Sequence, residues 1–535
     1  MNNTKNTKMT NYRWMICAML FFATTINYLD RQVLSLTWKD FIQPEFHWTN
    51  NDYGDITSLF SIFYAVSMLF AGRFVDWMDT KKGFLWAIGI WSIGAILHAF
   101  CGIATSGIVA GEWFVGFEGA REAIGMVSNV GKVASVSVVL FIFARLILAI
   151  GEAGNFPAAI KATAEYFPKK DRALATSLFN AGATVGAIAA PLSVPFIAEI
   201  WGWEMAFIII GALGFVWMGF WVFVYKKPEA HPKVNAAELA YIQSDQASTN
   251  PEEEQVEKAQ ESGKKITFKQ AFRYKQTWAF AFGKFMTDGV WWFFLFWTPA
   301  YLGSVYDISM TTTEGKIALS VLYVITLLSI VGGWLPTYFV DKKKMNPYAG
   351  RMKAMLIFAF FPLLALLAQP LGSARPLGDY SYWIPIIIIG IAGAAHQAWS
   401  ANIFSTIGDM FPKKAIATIT GIGGMAGGIG SYFINKGSGM LFDFTQKNWS
   451  TIDGQALLEK YPQLTTKETA EVFLQERNMS NIEEFLKSLK AGGETIVNGI
   501  DSGYMIIFSI CAVAYLIGWI VMKILVPKYK PITDL

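Results

Sequence analysis

Residues Arg145 to Lys170 have the sequence RLILAIGEAGNFPAAIKATAEYFPKK. Arg145 and Glu152 lie within an apolar run, about two helical turns apart, so their side chains point to the same side of a helix. Charged residues inside a membrane-length apolar helix are costly, and they commonly mark the path of an ion or a substrate. The basic residues that end the stretch predict an aqueous loop after the helix.

The end of this stretch occurs a second time, as GDMFPKK at Gly408 to Lys414. Aligning the two FPKK segments places Glu152 opposite His396. Two copies of one element, with titratable groups at matching depths, predict two related halves around a shared cavity.

The composition indicates a membrane protein. The chain has 535 residues, of which 53% are hydrophobic and only 16% are charged. A soluble protein of this size carries roughly 25% charged residues, and apolar runs of about 20 residues, long enough to cross a bilayer, recur along this chain. We therefore expect an all-α protein that crosses the membrane many times.

Hydropathy predicts twelve spans, and an even number places both termini on one side of the membrane. The spans of the first half are Trp14–Leu36, Tyr53–Gly72, Phe84–Ala104, Val138–Ile160, Ala173–Ile197 and Glu204–Tyr225. Those of the second half are Thr277–Leu302, Ile317–Phe339, Arg351–Leu371, Tyr382–Gly408, Ala415–Leu441 and Ser502–Val526. Short loops rich in lysine and arginine, such as Lys169 to Arg172, alternate with poor ones, which predicts cytoplasmic termini.

The spans divide the chain into a first bundle at 1–225, a polar cytoplasmic linker at 226–276 and a second bundle at 277–535. Two insertions are expected on the outer side. The apolar insertion 105–137 predicts an interfacial or re-entrant hairpin, and the polar insertion 443–501 predicts a small cap. Neither insertion carries a chemical motif.

The first span carries a polar cluster. Asn27, Asp30 and Arg31 are spaced so that they share one helix face. Asp30 can take up and release a proton, and the planar guanidinium of Arg31 can hold a substrate carboxylate through two parallel hydrogen bonds. A structural ion pair at the membrane border is the alternative. Arg145 and Glu152 offer the same chemistry, and because a buried ion pair stabilises little, we favour a pair that protonation switches.

The second half carries a polar segment at Ala395 to Asn402. One polar residue in a membrane helix commonly joins two helices. Four polar residues within about two turns instead favour a hydrogen-bonding wall for a hydroxyl-rich ligand. The four are His396, Gln397, Trp399 and Asn402, and Asn180 of the first half would face them.

Three further motifs allow a structural and a functional interpretation. Rings in the aromatic stretch Thr277 to Leu302 commonly mark the membrane interface, although Trp292, Trp297 and Tyr301 could stack on a sugar ring. In GRFVD, Gly72 would let helices approach closely, and Asp76 would form ion pairs with basic residues that hold two helices together. The alternative is a basic loop that only sets the orientation of the chain in the membrane. The glycine-rich run Gly421 to Gly430 predicts close helix packing.

Several functional classes lack their motifs. The sequence has no phosphate-binding G-x-x-x-x-G-K-[ST] loop and no H-E-x-x-H metal motif. Its three cysteines lie in apolar spans, so neither a disulfide framework nor a thiolate metal site is expected. Basic residues sit in short loops, which disfavours nucleic-acid binding. We expect no cofactor, no metal and no catalytic residue, so the chain is not predicted to be an enzyme.

The motifs NYLDR, GRFVD, RLILAIGEAGNFPA, EYFPKKDRA, FNAG and HQAWSANIF resemble those of the major facilitator superfamily. More closely, the chain resembles the anion:cation symporter family, in particular bacterial hexuronate transporters. The resemblance covers nearly all twelve spans. It implies an all-α fold of twelve transmembrane helices in two pseudo-symmetric six-helix bundles. It also implies proton-driven uptake of a sugar-acid anion by alternating access between these bundles, in a monomer of the cell inner membrane.

The resemblance also implies roles for individual residues. Asp30 and Glu152 would be the protonatable groups, and Arg31 and Arg145 would hold or balance carboxylates. The residues implied to line the substrate site are Tyr64, Asn180, His396, Gln397, Trp399 and Asn402. The two outer insertions depart from the family pattern.

Alternative functions stay open at this point. The substrate could be another organic anion, such as a hexonate or a different carboxylate, and the direction could be export. A transporter-like nutrient sensor would need a partner for the linker, which shows no clear docking motif, and a membrane-embedded enzyme would need a catalytic constellation. Our hypothesis is that carboxylates of the first half carry protons while polar groups of the second half bind hydroxyls.

Overall fold

The structure, a computed structural model, describes residues 9–244, 267–411, 413–449 and 499–532, with short pieces between 461 and 485. Within these residues the architecture is helical, with twelve long helical elements. In the first half these are α1 Arg13–Thr37, α2 Asn50–Met78, α3 Thr80–Ala99, α4 Val130–Tyr166, α5 Lys169–Trp201 and α6 Trp203–Val224. In the second half they are α7 Lys275–Tyr306, α8 Thr313–Asp341, α9 Pro347–Ser373, α10 Trp383–Met410, α11 Lys413–Trp449 and α12 Ile500–Leu525.

Nine of these elements, within the described residues, are long and apolar enough to cross a membrane by composition alone. The three others are α1, α7 and α11, which carry charged or glycine-rich segments. They pack against other helices, α1 on α5 and α7 on α11, while α2 also packs on α11. Their charged residues Asp30, Arg31 and Lys284 are buried within the protein. The predicted all-helical membrane fold is confirmed.

Several helices run beyond the predicted spans. The helix α2 continues through GRFVD to Met78, and α4 begins at Val130 rather than Val138. Side-chain caps explain where α2 and α4 begin. Thr49 forms a capping box with Asp52 before α2, and Asn129 accepts a hydrogen bond from Lys132 N before α4. Hydropathy locates the apolar part of a helix, whereas backbone hydrogen bonding extends into polar sequence.

The helices end and begin at matching positions around the two FPKK segments. The helix α4 ends at Tyr166 and α10 ends at Met410, and Phe167 and Phe411 are both extended. The following helices then begin at Lys169 and Lys413. We call the side where these helices end, which is also where α1 begins and α12 ends, the terminal side, and the other the opposite side.

The first insertion forms two short helices on the opposite side. They are Cys101–Ala110, directly after α3, and Phe117–Gly125. Arg121 of the second helix contacts Glu204 at 2.6 Å, at the start of α6, and Glu45 at 3.3 Å, just after α1. Ion pairs of Arg121 therefore join the insertion to the segment after α1 and to the start of α6. Of the second insertion, α11 covers the part up to Trp449, and most of the rest lies outside the described residues.

The linker contributes a cap to α1 on the terminal side. Its helix Ala236–Ile242 carries Glu238, whose carboxylate accepts hydrogen bonds from the backbone N–H groups of Tyr12 and Arg13 at 2.8 and 3.0 Å. The Thr10 hydroxyl and the Arg13 guanidinium also donate to it. A carboxylate at a helix N-terminus satisfies N–H groups that have no partner within the helix. The acidic run 252–254 of the linker lies outside the described residues.

We expect Glu238→Gln to lower the thermal stability of the purified protein, because an amide cannot replace the ion pair with Arg13 or complement the helix dipole. Loss of charged hydrogen bonds costs about 1.5–3 kcal/mol. Burial raises the pKa of Glu238, but hydrogen bonds from Arg13, Thr10 and Tyr12 bring the pKa below its ordinary value. The contribution of Glu238 to the free energy of unfolding is therefore present above the pKa that Glu238 has in the unfolded chain. It is lost as pH falls through the lower pKa that Glu238 has in the folded protein.

Thermal unfolding in detergent at neutral pH measures this effect. The exposed Glu229→Gln, on the same linker, serves as the control. Equal unfolding temperatures for Glu238→Gln and the control would show that the cap does not stabilise α1.

Candidate functional site

The centre of the site is an ion pair between α1 and α4. Arg31 donates from Nε and Nη2 to Oε2 of Glu152, at 2.9 and 2.7 Å. Both side chains are buried, with 6% and 0% of their surface exposed. Arg31 and Glu152 are 121 residues apart in sequence, and the fold brings together two motifs that the sequence presented separately.

Aromatic rings surround the guanidinium of Arg31. Its Cζ lies 5.2 Å from the ring centroid of Tyr28, 4.8 Å from that of Tyr64 and 5.4 Å from that of Trp292. Trp292 belongs to α7, in the second half of the chain. Desolvated contacts of a cation with an aromatic face contribute about 2 kcal/mol. Arg31 therefore contacts both halves of the protein, which places the pair at their interface.

The expected pairing of Glu152 with Arg145 is wrong: Glu152 forms its ion pair with Arg31. Seven residues of helix put Arg145 and Glu152 about 10 Å apart along the axis, so they share a side without direct contact. The Cζ of Arg145 instead lies 5.1 Å from the ring centroid of Phe60.

Unpartnered polar atoms concentrate around the pair. Both side-chain oxygens of Asp30, both amide atoms of Asn27, Nε and Nη1 of Arg145 and Oε1 of Glu152 are buried without a hydrogen-bond partner. Both amide atoms of Asn155, three residues after Glu152, are also buried without a hydrogen-bond partner. Native proteins pair most buried polar groups, so such a concentration needs an explanation. Asp30 lies within electrostatic range of Glu152, Arg145 and Arg31, and this arrangement can hold protons and an anion.

The polar segment of α10 is placed differently from the expected hydroxyl-binding wall. His396 Nδ1 lies 2.7 Å from the hydroxyl of Tyr515, and its ring stacks on Trp291. Asn402 donates to the backbone oxygens of Gly332 and Ala398, both at 2.8 Å. Trp399 is fully buried, and only Gln397 is half-buried. The amide of Asn402 thus joins α10 to α8, which is the structural role of a polar residue in a membrane helix.

Trp297 is not placed to stack on a ligand in this structure. It is fully buried, and its Nε1 donates to Oδ1 of Asn435 at 3.0 Å. Its ring meets Trp38 and Tyr53 of the first half edge to face. Trp297 therefore helps to join the two halves, while the half-buried Trp292 is the tryptophan that contacts Arg31.

The remaining predicted residues have separate environments. Asn180 is exposed on α5 and makes no hydrogen bond to the polar residues of α10. Gly72 lies inside α2, and a Cβ atom built on it would meet nothing within 4 Å, so it does not mediate a close approach here. The side chain of Asp76 lies outside the described residues. In the glycine-rich run, a Cβ atom on Gly428 would lie 2.3 Å from Cβ of Ala65, which confirms close packing of α11 on α2.

Sequence reasoning missed an ion pair on α7. Nζ of Lys284 lies 2.7 Å from Oδ2 of Asp288, and their side chains are 6% and 16% exposed. Nζ of Lys284 also lies 4.3 Å from the ring centroid of Phe404. The signal was available: GKFMTD places opposite charges four residues apart inside a span, the pattern that drew attention to α1 and α4. The aromatic residues around it dominated the interpretation of this stretch.

The halves are joined on the opposite side by a set of polar contacts that we call the clamp. Asp443 of α11 accepts hydrogen bonds from the backbone N–H groups of Asn50 and Asn51, at 3.0 and 2.7 Å, at the start of α2. Lys436 of α11 contacts Asp55 at 2.6 Å. A carboxylate at a helix N-terminus is favoured by the unpaired N–H groups and by the helix dipole.

The chain is similar in sequence and in fold to known proteins. The profile of the Major Facilitator Superfamily matches residues 20–434. The chain is 28% identical to the hexuronate transporter of Escherichia coli (strain K12) over 440 residues, which cover 82% of this chain and 89% of that protein. It is 26% identical to the galacturonate transporter of Dickeya chrysanthemi over 344 residues, 64% of this chain and 87% of that protein.

A solved structure shows the same fold. It is a bacterial homolog of the human lysosomal transporter Spinster in an inward-facing and unoccupied conformation, with a TM-score of 0.61 and 19% identity, over 96% of this chain and 97% of that chain. The resemblance predicted from the motifs is therefore confirmed. This multi-pass membrane protein is a member of the Major Facilitator Superfamily, a family of transporters rather than enzymes.

Proposed function

We propose that this protein is a proton-coupled symporter that takes up a sugar-acid anion, a hexuronate such as glucuronate or galacturonate. The observation that carries the proposal is the buried Arg31–Glu152 pair, which contacts both halves of a transporter fold. The relatives named for hexuronate and galacturonate transport support the substrate class.

The pair offers a simple coupling mechanism. When Glu152 is ionised, it occupies both Nε and Nη2 of Arg31, so a substrate carboxylate must compete with an internal one. Protonation of Glu152 removes that competitor and leaves a buried guanidinium that binds the substrate carboxylate in its place. Anion binding and proton uptake then favour each other, which is the linkage that symport requires.

Asp30 and Arg145 complete the charge balance in this proposal. Asp30 is a second protonatable group, with both oxygens buried and unpartnered. Arg145 places a further positive charge near Asp30 and Glu152. If more protons than anionic charges enter, each net charge gains about 2.3 kcal/mol per 100 mV of membrane potential.

Alternating access is proposed to use the clamp. With the termini in the cytoplasm, as the lysine- and arginine-rich loops favour, the clamp lies on the outer side of the membrane and keeps that side closed. Binding from outside then requires the contacts of Asp443 and Lys436 with α2 to break. The ion pair lies deeper along α1 and α4 and can be reached from either side in turn.

We expect Asp443→Asn to shift the protein toward opening on the opposite side, since an amide offers one acceptor and no charge to the start of α2. Losing a charged hydrogen bond changes an equilibrium by about 1.5–3 kcal/mol, roughly tenfold or more. Spin labels on cysteines introduced at Glu118 and Glu314, both exposed on the opposite side, would report a larger population of long distances.

The three native cysteines are buried and should not compete for label. Asp379→Asn, exposed on the same side, is the matched control. An unchanged distance distribution in Asp443→Asn would remove Asp443 from the clamp.

Uptake by proteoliposomes tests the proposed function. Glucuronate or galacturonate should accumulate when the outside is more acidic, and accumulation should fall when the gradient is collapsed. Equal uptake with and without the gradient would refute the proton coupling. If neither sugar acid is taken up, a thermal-shift screen of hexonates and other carboxylates tests the alternative substrate classes, and a ligand that binds without being moved would favour a sensor.

A further inference from the structure

A charged stripe follows one face of α7. Lys284, Asp288 and Trp292 are spaced by four residues, so their side chains lie above one another on the helix. Lys284 and Asp288 form a buried ion pair at 2.7 Å. Trp292 contacts Arg31 and also lies against Tyr64, with 5.5 Å between the ring centroids. The stripe therefore continues the Arg31 site into the second half of the chain.

Groups from four other helices surround the pair. A Cβ atom on Gly427 of α11 would lie 2.2 Å from Oδ2 of Asp288, so that backbone approaches the carboxylate directly. Tyr28 of α1 and Tyr515 of α12 lie within electrostatic range of Asp288, and His396 of α10 within that of Lys284. The other carboxylate oxygen, Oδ1 of Asp288, is buried without a hydrogen-bond partner.

A purely structural role explains this pair poorly. Both residues lie on the same helix, so their contact holds α7 to no neighbour. Desolvation of a buried pair commonly exceeds its Coulomb attraction, so the pair adds little stability. A buried cation whose partner retains a free oxygen is better explained as a site at which an anion is exchanged.

The two ion pairs have matching properties. Arg31–Glu152 and Lys284–Asp288 each join one cation to one carboxylate in a buried setting, one pair in each half. Lys284 precedes Trp292 by eight residues, about 12 Å along the helix axis. Nζ of Lys284 reaches Asp288, which lies four residues, about 6 Å along the helix axis, from Trp292 and its contact with Arg31. A six-carbon chain with a carboxylate at each end can extend between these two positions.

Resting on the proposed function, we propose that Lys284 and Asp288 form a second carboxylate site, which receives the far end of a sugar acid that carries a carboxylate at each end. A proton from the aqueous side adds to the Asp288 carboxylate, and its ion pair with Lys284 breaks. Nζ of Lys284 then donates hydrogen bonds to the second carboxylate of the substrate. No covalent bond of the substrate changes, and transport of a dicarboxylate is accompanied by one proton more, bound at Asp288, than transport of a monocarboxylate.

The test compares a monocarboxylate and a dicarboxylate of the same chain length, galacturonate and galactarate, in proteoliposomes. In Lys284→Gln, we expect the KM for galactarate to rise about tenfold or more, the effect of losing a charged hydrogen bond, with less than a threefold change for galacturonate. Lys284→Arg should restore much of the galactarate affinity. Asp288→Asn should abolish the additional proton taken up with galactarate, measured from reversal potentials.

The control is Asp409→Asn, which breaks the Arg351–Asp409 pair, also 2.7 Å, at the terminal ends of α9 and α10. Galacturonate uptake by each variant shows that it is folded. The inference is overturned if Lys284→Gln changes both KM values equally or neither, or if the unmodified protein moves galacturonate and not galactarate. Failure of the proposed function is separate: the unmodified protein would then accumulate neither sugar acid under a pH gradient.

Discussion

Glu152→Gln is expected to abolish accumulation of substrate against its gradient and to leave exchange of labelled for unlabelled substrate largely intact. Glutamine has the size of glutamate but cannot ionise, so it resembles the protonated state permanently. Arg31, which now donates to Oε2 of Glu152 at 2.7 and 2.9 Å, would stay free to bind the substrate carboxylate. Without release and uptake of the proton at this position, anion movement loses its link to the proton gradient.

The measurement compares two assays on the same proteoliposomes. Driven uptake under an imposed pH gradient should fall to the level set by passive equilibration, while counterflow exchange should stay within a few-fold of the unmodified protein. Glu118→Gln, at an exposed position of the short helix Phe117–Gly125, removes a carboxylate far from the site and should change neither assay. Loss of counterflow together with driven uptake would assign Glu152 a structural role.

Helix periodicity predicted which residues of one helix share a face, and the structure shows the limit of that information. The sequence placed Arg145 and Glu152 on one side of α4 and Asp30 and Arg31 on one side of α1. It could not show that Arg31 reaches Glu152, because that contact depends on how α1 packs against its neighbours. The repeated FPKK segments were more informative, because the C-terminal ends of the two helices that precede them follow from local sequence alone.

Burial was the property that the sequence predicted least well for single polar and aromatic residues. Trp292 and Trp297 lie in one aromatic stretch, yet Trp292 contacts Arg31 and Trp297 is fully enclosed between the halves. Asn402 has a hydrogen-bonding amide that could serve a sugar, but two backbone oxygens occupy it. Side-chain chemistry states what a residue can do, and only the packing of other helices decides which partner it meets.

The ion pair on α7 bears on the hypothesis that carboxylates of the first half carry protons while polar groups of the second half bind hydroxyls. Lys284 and Asp288 give the second half a buried pair of its own. At the same time, Trp399 is fully buried between helices, and the amide of Asn402 donates a hydrogen bond to the backbone of α8. The charged groups are therefore distributed over both halves, so an anionic substrate can contact both halves.

Arg31→Lys should weaken substrate binding by about tenfold or more, although the charge is kept. Arg31 uses two nitrogens toward one carboxylate oxygen, and its plane lies among the rings of Tyr28, Tyr64 and Trp292. Lysine offers a compact, strongly hydrated charge that cannot form this fork or stack in the same way. Loss of a charged hydrogen bond costs about 1.5–3 kcal/mol, which corresponds to this change in affinity.

Isothermal titration or a thermal-shift titration of the purified protein with galacturonate measures the affinity directly. The matched control is Arg13→Lys, because Arg13 also forms a buried ion pair, with Glu238 at 3.3 Å, but lies at the terminal end of α1. That variant should bind substrate as the unmodified protein does. Equal affinity in Arg31→Lys and Arg13→Lys would exclude Arg31 from the carboxylate site, and the protonation of Glu152 would then need another route to substrate binding.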